Sequence, residues 1–345
     1  MRILFLLIAS LGLAANAQPL AVPCGDKDTA CAREAMMKHP VRSPEFWKAR
    51  LALPLSERIG PAPPELVQFV TLDNVANGYP NRPRASKLEP AFLADVRRAF
   101  DEMPGAVKRH LEEKLAGIYF ADDFGGTGYT DEIGEPGKAR IGFVILDPSV
   151  LATRKANAWA TWKERSPFKP AEGWDLSASI EEGANDTYAN AIQYILLHEL
   201  GHVLSIGASI HPSWAIEPKS VKSTSEFAFF GLSWTLADGK YISRFDATFP
   251  QRKDVVFYFG PKLEASAMPA TYAALASTNF PTLYAATHPG DDFAESFANY
   301  VHVVLMGKPF SIRITHEGRL ARSYSACWNE PRCAQKRSFM ENFLR

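Results

Sequence analysis

Apolar and polar positions along this 345-residue chain are clearest where they follow a helical period. From about Thr187 to Ser205 the run "TYANAIQYILLHELGHVLS" is apolar around most of its circumference, as in a helix enclosed by a core. Asn185, Asp186 and Thr187 supply capping side chains ahead of it, and Gly207 stops it. A second helix is predicted for "DDFAESFANYVHVVLMG", opened by the turn "HPG" and closed by Gly307 and Pro309. On it Phe293, Phe297, Tyr300, Val301 and Val304 form an apolar stripe, while Asp291, Glu295, Asn299 and His302 form a polar one nearly opposite.

Elsewhere the pattern is shorter in range. Residues 89–115 read as two helices parted at "MPG", where proline interrupts the register. "GIYFADD" and "RIGFVILD" read as strands, and the intervening "FGGTGYTDEIGEPGKA" as a loop too rich in glycine to be regular. A tryptophan-bearing helix is predicted at about 149–165. The proline-dense stretch 18–85 predicts an extended arm wrapped over the body, with one strand at "LVQFVTLD". The segment 208–290 is crowded with aromatics and has no clear period, a placement that suits shaping a specificity pocket. These features divide the chain into an arm at 18–85, a body at 86–320 with the aromatic insertion 208–290, and a tail at 321–345.

Ahead of the arm, Arg2, the apolar run "ILFLLIASLGLA" and the small residues "ANA" have the layout of a signal peptide cut after Ala17. The expected location is secreted or periplasmic, with no membrane span in the mature chain. Lys and Arg number 38, as do Asp and Glu, so no basic field exists to hold nucleic acid. Cys24 and Cys31 lie near one end and Cys327 and Cys333 near the other. Export makes disulfides reasonable, and local pairing is preferred over terminus-to-terminus pairing.

The apolar helix at 187–205 carries the chemistry. "HELGH" is H-E-x-x-H, and residues four apart on a helix lie one above the other, so His198 and His202 can aim their imidazoles at one zinc ion. Glu199, turned about 100° from His198, reaches a water beside such an ion without replacing a ligand. The bland reading, three polar groups satisfied within a core, is disfavoured because all three fall in a turn and a half of an otherwise apolar helix. Ser205 and Ala208 occupy the positions where a metzincin would need glycine and histidine, and His211 is out of register. The third ligand is then a carboxylate from the second helix. Two carboxylates four apart suit this, one on the metal and one orienting a histidine. The competing reading is a solvated polar face, with Asp292 and Glu295 as a capping box.

"HELGH" followed by "TLYAATHPGDDFAESFA" resembles the gluzincin zinc peptidases, most closely the catalytic domains related to anthrax lethal factor. The resemblance covers about thirty residues in two blocks. It implies Tyr284 as a donor to the oxyanion of a tetrahedral intermediate, Asp291 as third ligand and Glu295 as its support. The family has glutamate where this chain has Asp291, one methylene shorter, so the helix would have to approach the metal more closely. The third ligand stays open between Asp291 and Glu295, with Asn299 as the supporting group in the second case.

The resemblance implies an α+β fold of the zincin type, a twisted mixed sheet packed under the HExxH helix, with "RIGFVILD" as a candidate edge strand for an extended peptide. The implied activity is that of a zinc metallopeptidase acting on a peptide or protein, with Glu199 as general base. A non-catalytic exported zincin-fold binding protein and a cell-wall amidase with the same metal centre are the alternatives.

Overall fold

The computed structural model describes residues 20–135, 137–258 and 260–345, so the predicted leader and its cleavage point lie outside the described residues. The region predicted as an extended arm is instead largely helical: α1 (Thr29–Met37), α2 (Pro44–Leu51) and α3 (Pro64–Asn77), with strand β1 (Ile59–Pro61) before α3. "LVQFVTLD" is the middle of α3, not a strand. Pro64 sits in the first turn, where no amide donor is needed, and Gly78 closes the helix in the left-handed region at φ 75°. Nine of its residues are buried, so it lacks the one-sided stripe that marks a surface helix.

After β2 (Arg84–Ala85), the helices α4 (Pro90–Asp101) and α5 (Gly105–Leu111) part at "MPG" as the proline requires. The main sheet follows with β3 (Leu115–Asp122), β4 (Gly128–Ile133) and β5 (Ile141–Leu146), in the order β1-β3-β5-β4 with β2 paired to β3. β1, β3 and β5 run parallel and β4 antiparallel to β5, so the sheet is mixed. Two sequence expectations reverse here. "RIGFVILD" is the inner strand β5, held between β3 and β4, and the glycine-rich segment predicted to be irregular carries the edge strand β4.

Alternation along β3 and β5 feeds two cores. Ile118, Phe120, Val144 and Leu146 pack with Leu196, Leu197 and Leu200 on one face, and Tyr119, Phe143 and Ile145 pack with Trp47, Leu66 and Phe69 on the other. A sheet covered on both faces reads as continuous apolar runs, which is how these strands look in the sequence.

The tryptophan-bearing segment forms two helices where one is predicted, α6 (Pro148–Leu151) and α7 (Ala156–Arg165), because Lys155 is extended and starts the second. β6 (Phe168–Lys169) and β7 (Trp174–Ser179) lead to α8 (Tyr188–Ser205). Thr187 caps α8 by accepting from the Asn190 amide at 3.2 Å, and at the far end Lys114 donates to the carbonyls of Leu204 and Ile206. Gly207 then turns the chain at φ 62°.

The aromatic segment contributes both to the core and to the walls of the clefts. It forms α9 (Phe230–Ser233), the hairpin β8 (Trp234–Ala237) and β9 (Lys240–Ser243), β10 (Leu263–Glu264) and α10 (Met268–Leu275), and Phe229, Trp234, Phe249, Tyr272 and Phe280 are buried. α11 (Pro289–Tyr300) passes into a π-turn at Val301–Leu305. β11 (Ser311–His316) and β12 (Arg319–Ser325) join β7 in a second, antiparallel sheet, and α12 (Ala334–Phe343) ends the chain. Its fully buried Lys336 pairs with Asp292 on α11, so the tail is part of the body. Disulfides Cys24–Cys31 and Cys327–Cys333 are the local pairs predicted. Among the described residues no helix is long and apolar enough to cross a membrane.

One crossing positions the site. At Gly201 of α8 an added Cβ would stand 2.9 Å from Ala294 Cα and 3.2 Å from Ala294 O on α11, so the two helices meet backbone to backbone. Gly→Ala within a helix ordinarily stabilises by about 0.5–1 kcal/mol. Here the sign should invert, because the obstacle is backbone and cannot rotate aside: Gly201→Ala is expected to lower the urea midpoint by an amount equivalent to about 1–3 kcal/mol. A midpoint equal to or above that of the parent chain would show that the crossing has slack.

Candidate metal centre

α8 is buried on nearly every side, yet His198, Glu199 and His202 lie on its one polar edge. The two histidines face α11, and the Gly201–Ala294 contact lets the short side chain of Asp291 reach them. His198 Nε2 and His202 Nε2 are 3.2 Å apart, and Asp291 Oδ1 lies 3.9 Å from the first and 3.6 Å from the second. Two ring nitrogens facing at that distance can share only one proton, whereas a cation between them and the carboxylate satisfies all three. Tetrahedral zinc with bonds of about 2.0–2.1 Å sets its ligand atoms about 3.3 Å apart. The triangle has that size, slightly open on the Asp291 side, and the donor set of two imidazoles and one carboxylate suits zinc. His198, His202 and Asp291 are thus the group among the described residues able to hold a metal ion.

Glu295 is placed differently from the ligand role left open in the sequence. Its Oε1 receives Lys163 Nζ at 2.6 Å and its Oε2 the Thr282 hydroxyl at 2.7 Å. With both oxygens engaged it stands outside the triangle, against the far nitrogen of one of its imidazoles: His198 Nδ1 is 2.9 Å from Oε1. That approach is too oblique for a hydrogen bond, but it sets a carboxylate beside the ring and leaves Nε2 for a metal. Burial alone would raise the Glu295 pKa; the Lys163 charge and His198 overcome it and hold the group well below the usual carboxylate range. Burial likewise works against proton binding at His198, and Glu295 and Glu199 reverse it, raising that pKa. Asn299, the alternative supporting group, is used elsewhere, accepting from Trp328 Nε1 at 2.8 Å and donating to Tyr194 Oη at 3.2 Å. Asp292 does not form a capping box with Glu295. His288 caps α11 instead, its Nδ1 accepting from the Gly290 amide.

Glu199 points from α8 to the edge strand. Thr130 on β4 donates to Glu199 Oε2 at 2.6 Å. Two residues earlier on that face, Gly128 leaves room for the carboxylate, since a Cβ there would lie 2.2 Å from Glu199 Oε1. Tyr284 stacks on His198 with ring centroids 5.4 Å apart. Burial and the nearby Asp291, Glu199 and Glu295 push its hydroxyl well above the ordinary range, so it stays a donor. A cleft of about 950 Å³ runs past Gly128, His198 and Glu199 to Trp162 and Arg154, and a smaller one of about 250 Å³ opens toward Trp214 and His288. His198, Glu199 and Tyr284 line both, so this centre sits where the two meet.

No family model, curated protein or solved structure matches the chain. What the centre can do is therefore decided by its donors, their burial and the cleft around them. Sequence reasoning missed Lys163, Thr130, Gly128 and Thr282. Lys163 lies 132 positions from Glu295 on a helix whose apolar pattern gives no sign of a buried charge.

His302, the last member of the polar stripe, serves the fold. Its Nε2 donates to Ile180 O at 2.8 Å, its Nδ1 has no partner, and burial pushes its pKa down to about 4. The unfolded chain then binds a proton that the folded one refuses between the ordinary value of 6.5 and about 4. Stability is expected to be full above the upper value and to fall as pH drops through that window, by roughly 3 kcal/mol from this group. Urea midpoints of the parent chain and of His302→Gln compared from pH 7 to 4 check this, and a difference between them that stays constant across the window would contradict the buried neutral ring.

Proposed function

We propose that this chain is a zinc-dependent peptidase with a zincin-type arrangement, acting on peptide or protein substrates outside the cytoplasm. The observation that carries the reading is the meeting of three parts: two imidazoles and Asp291 converging on one point, a carboxylate beside them that is not a ligand, and a cleft along an edge strand. A closed structural zinc site has no use for Glu199.

His198, His202 and Asp291 would hold a zinc ion, which when bound would supply Lewis acidity toward a carbonyl and a water near neutral pH. Glu199, oriented by the Thr130 hydroxyl, takes the proton from the attacking water as the C–O bond forms, and returns it to the amide nitrogen as the C–N bond breaks. The Tyr284 hydroxyl donates toward the carbonyl oxygen as charge gathers there. β4, paired on one side only among the described residues, offers its outer edge to an extended substrate backbone. Two disulfides suit an oxidising compartment and so support export.

Glu199→Gln keeps size and shape but cannot accept a proton. It is expected to retain bound zinc and to lose casein hydrolysis by about 10²–10⁴-fold, read from zinc content and peptide release on the same preparation. Undiminished hydrolysis with full zinc would remove Glu199 from the mechanism and with it this reading.

A further inference from the structure

Resting on the metal centre proposed above, the inference concerns the one lysine that points into it. We infer that Lys163 is a positioning residue of the metal centre: it fixes Glu295 against His198 and so sets the ring that ligates the metal. Lys163 stands on α7, outside both ligand-bearing helices, and its side chain is 5% exposed. Its ammonium has one hydrogen-bond acceptor among the described residues, Glu295 Oε1 at 2.6 Å. The rest of its surroundings is aromatic, with the rings of Tyr284, Trp159 and Tyr194 centred 4.8, 5.6 and 5.8 Å from Nζ. Ring faces stabilise a buried cation without offering it another acceptor, so the ammonium is committed to a single oxygen.

That oxygen is also the one 2.9 Å from His198 Nδ1, and Thr282 holds the other end of the carboxylate. Lys163 and Thr282 therefore grip Glu295 from two sides. A glutamate on the same helix face as Asp291, one turn further on, has the reach to swing toward a cation. The grip keeps it on the outer side of the histidine. A carboxylate so placed acts on the ring through its charge, favouring an electron-rich imidazole, and losing an outer partner of a ligand typically costs 10–100-fold in metal affinity.

The test uses the full, disulfide-bonded chain, titrated with Zn²⁺ against a competing chelator and with Co²⁺ followed by its visible absorption. Lys163→Met is expected to bind Zn²⁺ about 10–100-fold more weakly and to shift the Co²⁺ bands, while Lys163→Arg holds the affinity within about threefold and keeps the bands. Lys163→Met leaves a buried carboxylate unpaired and can fail to fold, so Lys163→Met/Glu295→Gln, which removes both charges, is measured beside Glu295→Gln. Because Lys163 acts through Glu295, the double variant should bind no more weakly than Glu295→Gln. A folded Lys163→Met with parental affinity and spectrum, or a double variant about tenfold or more weaker than Glu295→Gln, overturns the inference. A parent chain that takes up no Zn²⁺ overturns the peptidase reading together with it, whereas a parent that binds Zn²⁺ with Lys163→Met unchanged overturns the inference alone.

Discussion

The close crossing of α8 and α11 at Gly201 and Ala294 is the constraint on which the rest depends. An aspartate has a short reach, and Asp291 comes within 4 Å of both imidazoles only because the helix backbones touch one turn away. With any larger residue at 201 the helices would separate, and the metal triangle would open before any ligand was changed. The short carboxylate at Asp291 and the glycine that permits the approach are two sides of one arrangement.

Around this crossing, α11 is buried along its length except at Asp291, which is partly exposed, and its other charged residues, Asp292 and Glu295, are enclosed. Such groups are tolerated only when paired, and the pairs reach to distant parts of the chain. Glu295 meets Lys163 from α7, and Asp292 meets Lys336 from α12 and Trp234 from the hairpin. These contacts tie α7, α12 and the β8–β9 hairpin to the helix that carries Asp291. The segments predicted as an insertion and a tail are in this way bound to the centre's position, and the N-terminal helices cover the other face of the sheet that supports it.

What could be read in advance follows from the range of the signal. The chemistry of "HELGH" is local: spacing, capping by Thr187 and the stop at Gly207 lie within one helix, and α8 has the predicted bounds to within a residue. Asp291 and Glu295 were legible as a pair one turn apart, but their division of labour was not, because it is decided by Lys163 and Thr282, which no pattern links to them. β4 was hidden by its own glycine. Gly128 opens space for Glu199 at the expense of the side chain that would have marked a strand. α3 was misread for a different reason: a helix buried on most sides shows no stripe, and "LVQFVTLD" has the branched composition of a strand.

The central claim is that His198, His202 and Asp291 together hold one cation. Zinc content of the purified chain, measured beside Asp291→Ala at matched folding by circular dichroism, addresses it most directly. The account predicts one Zn²⁺ per parent chain and loss of stoichiometric zinc in the folded variant. A parent chain free of zinc after exposure to it, or a variant that holds zinc as the parent does, would contradict it.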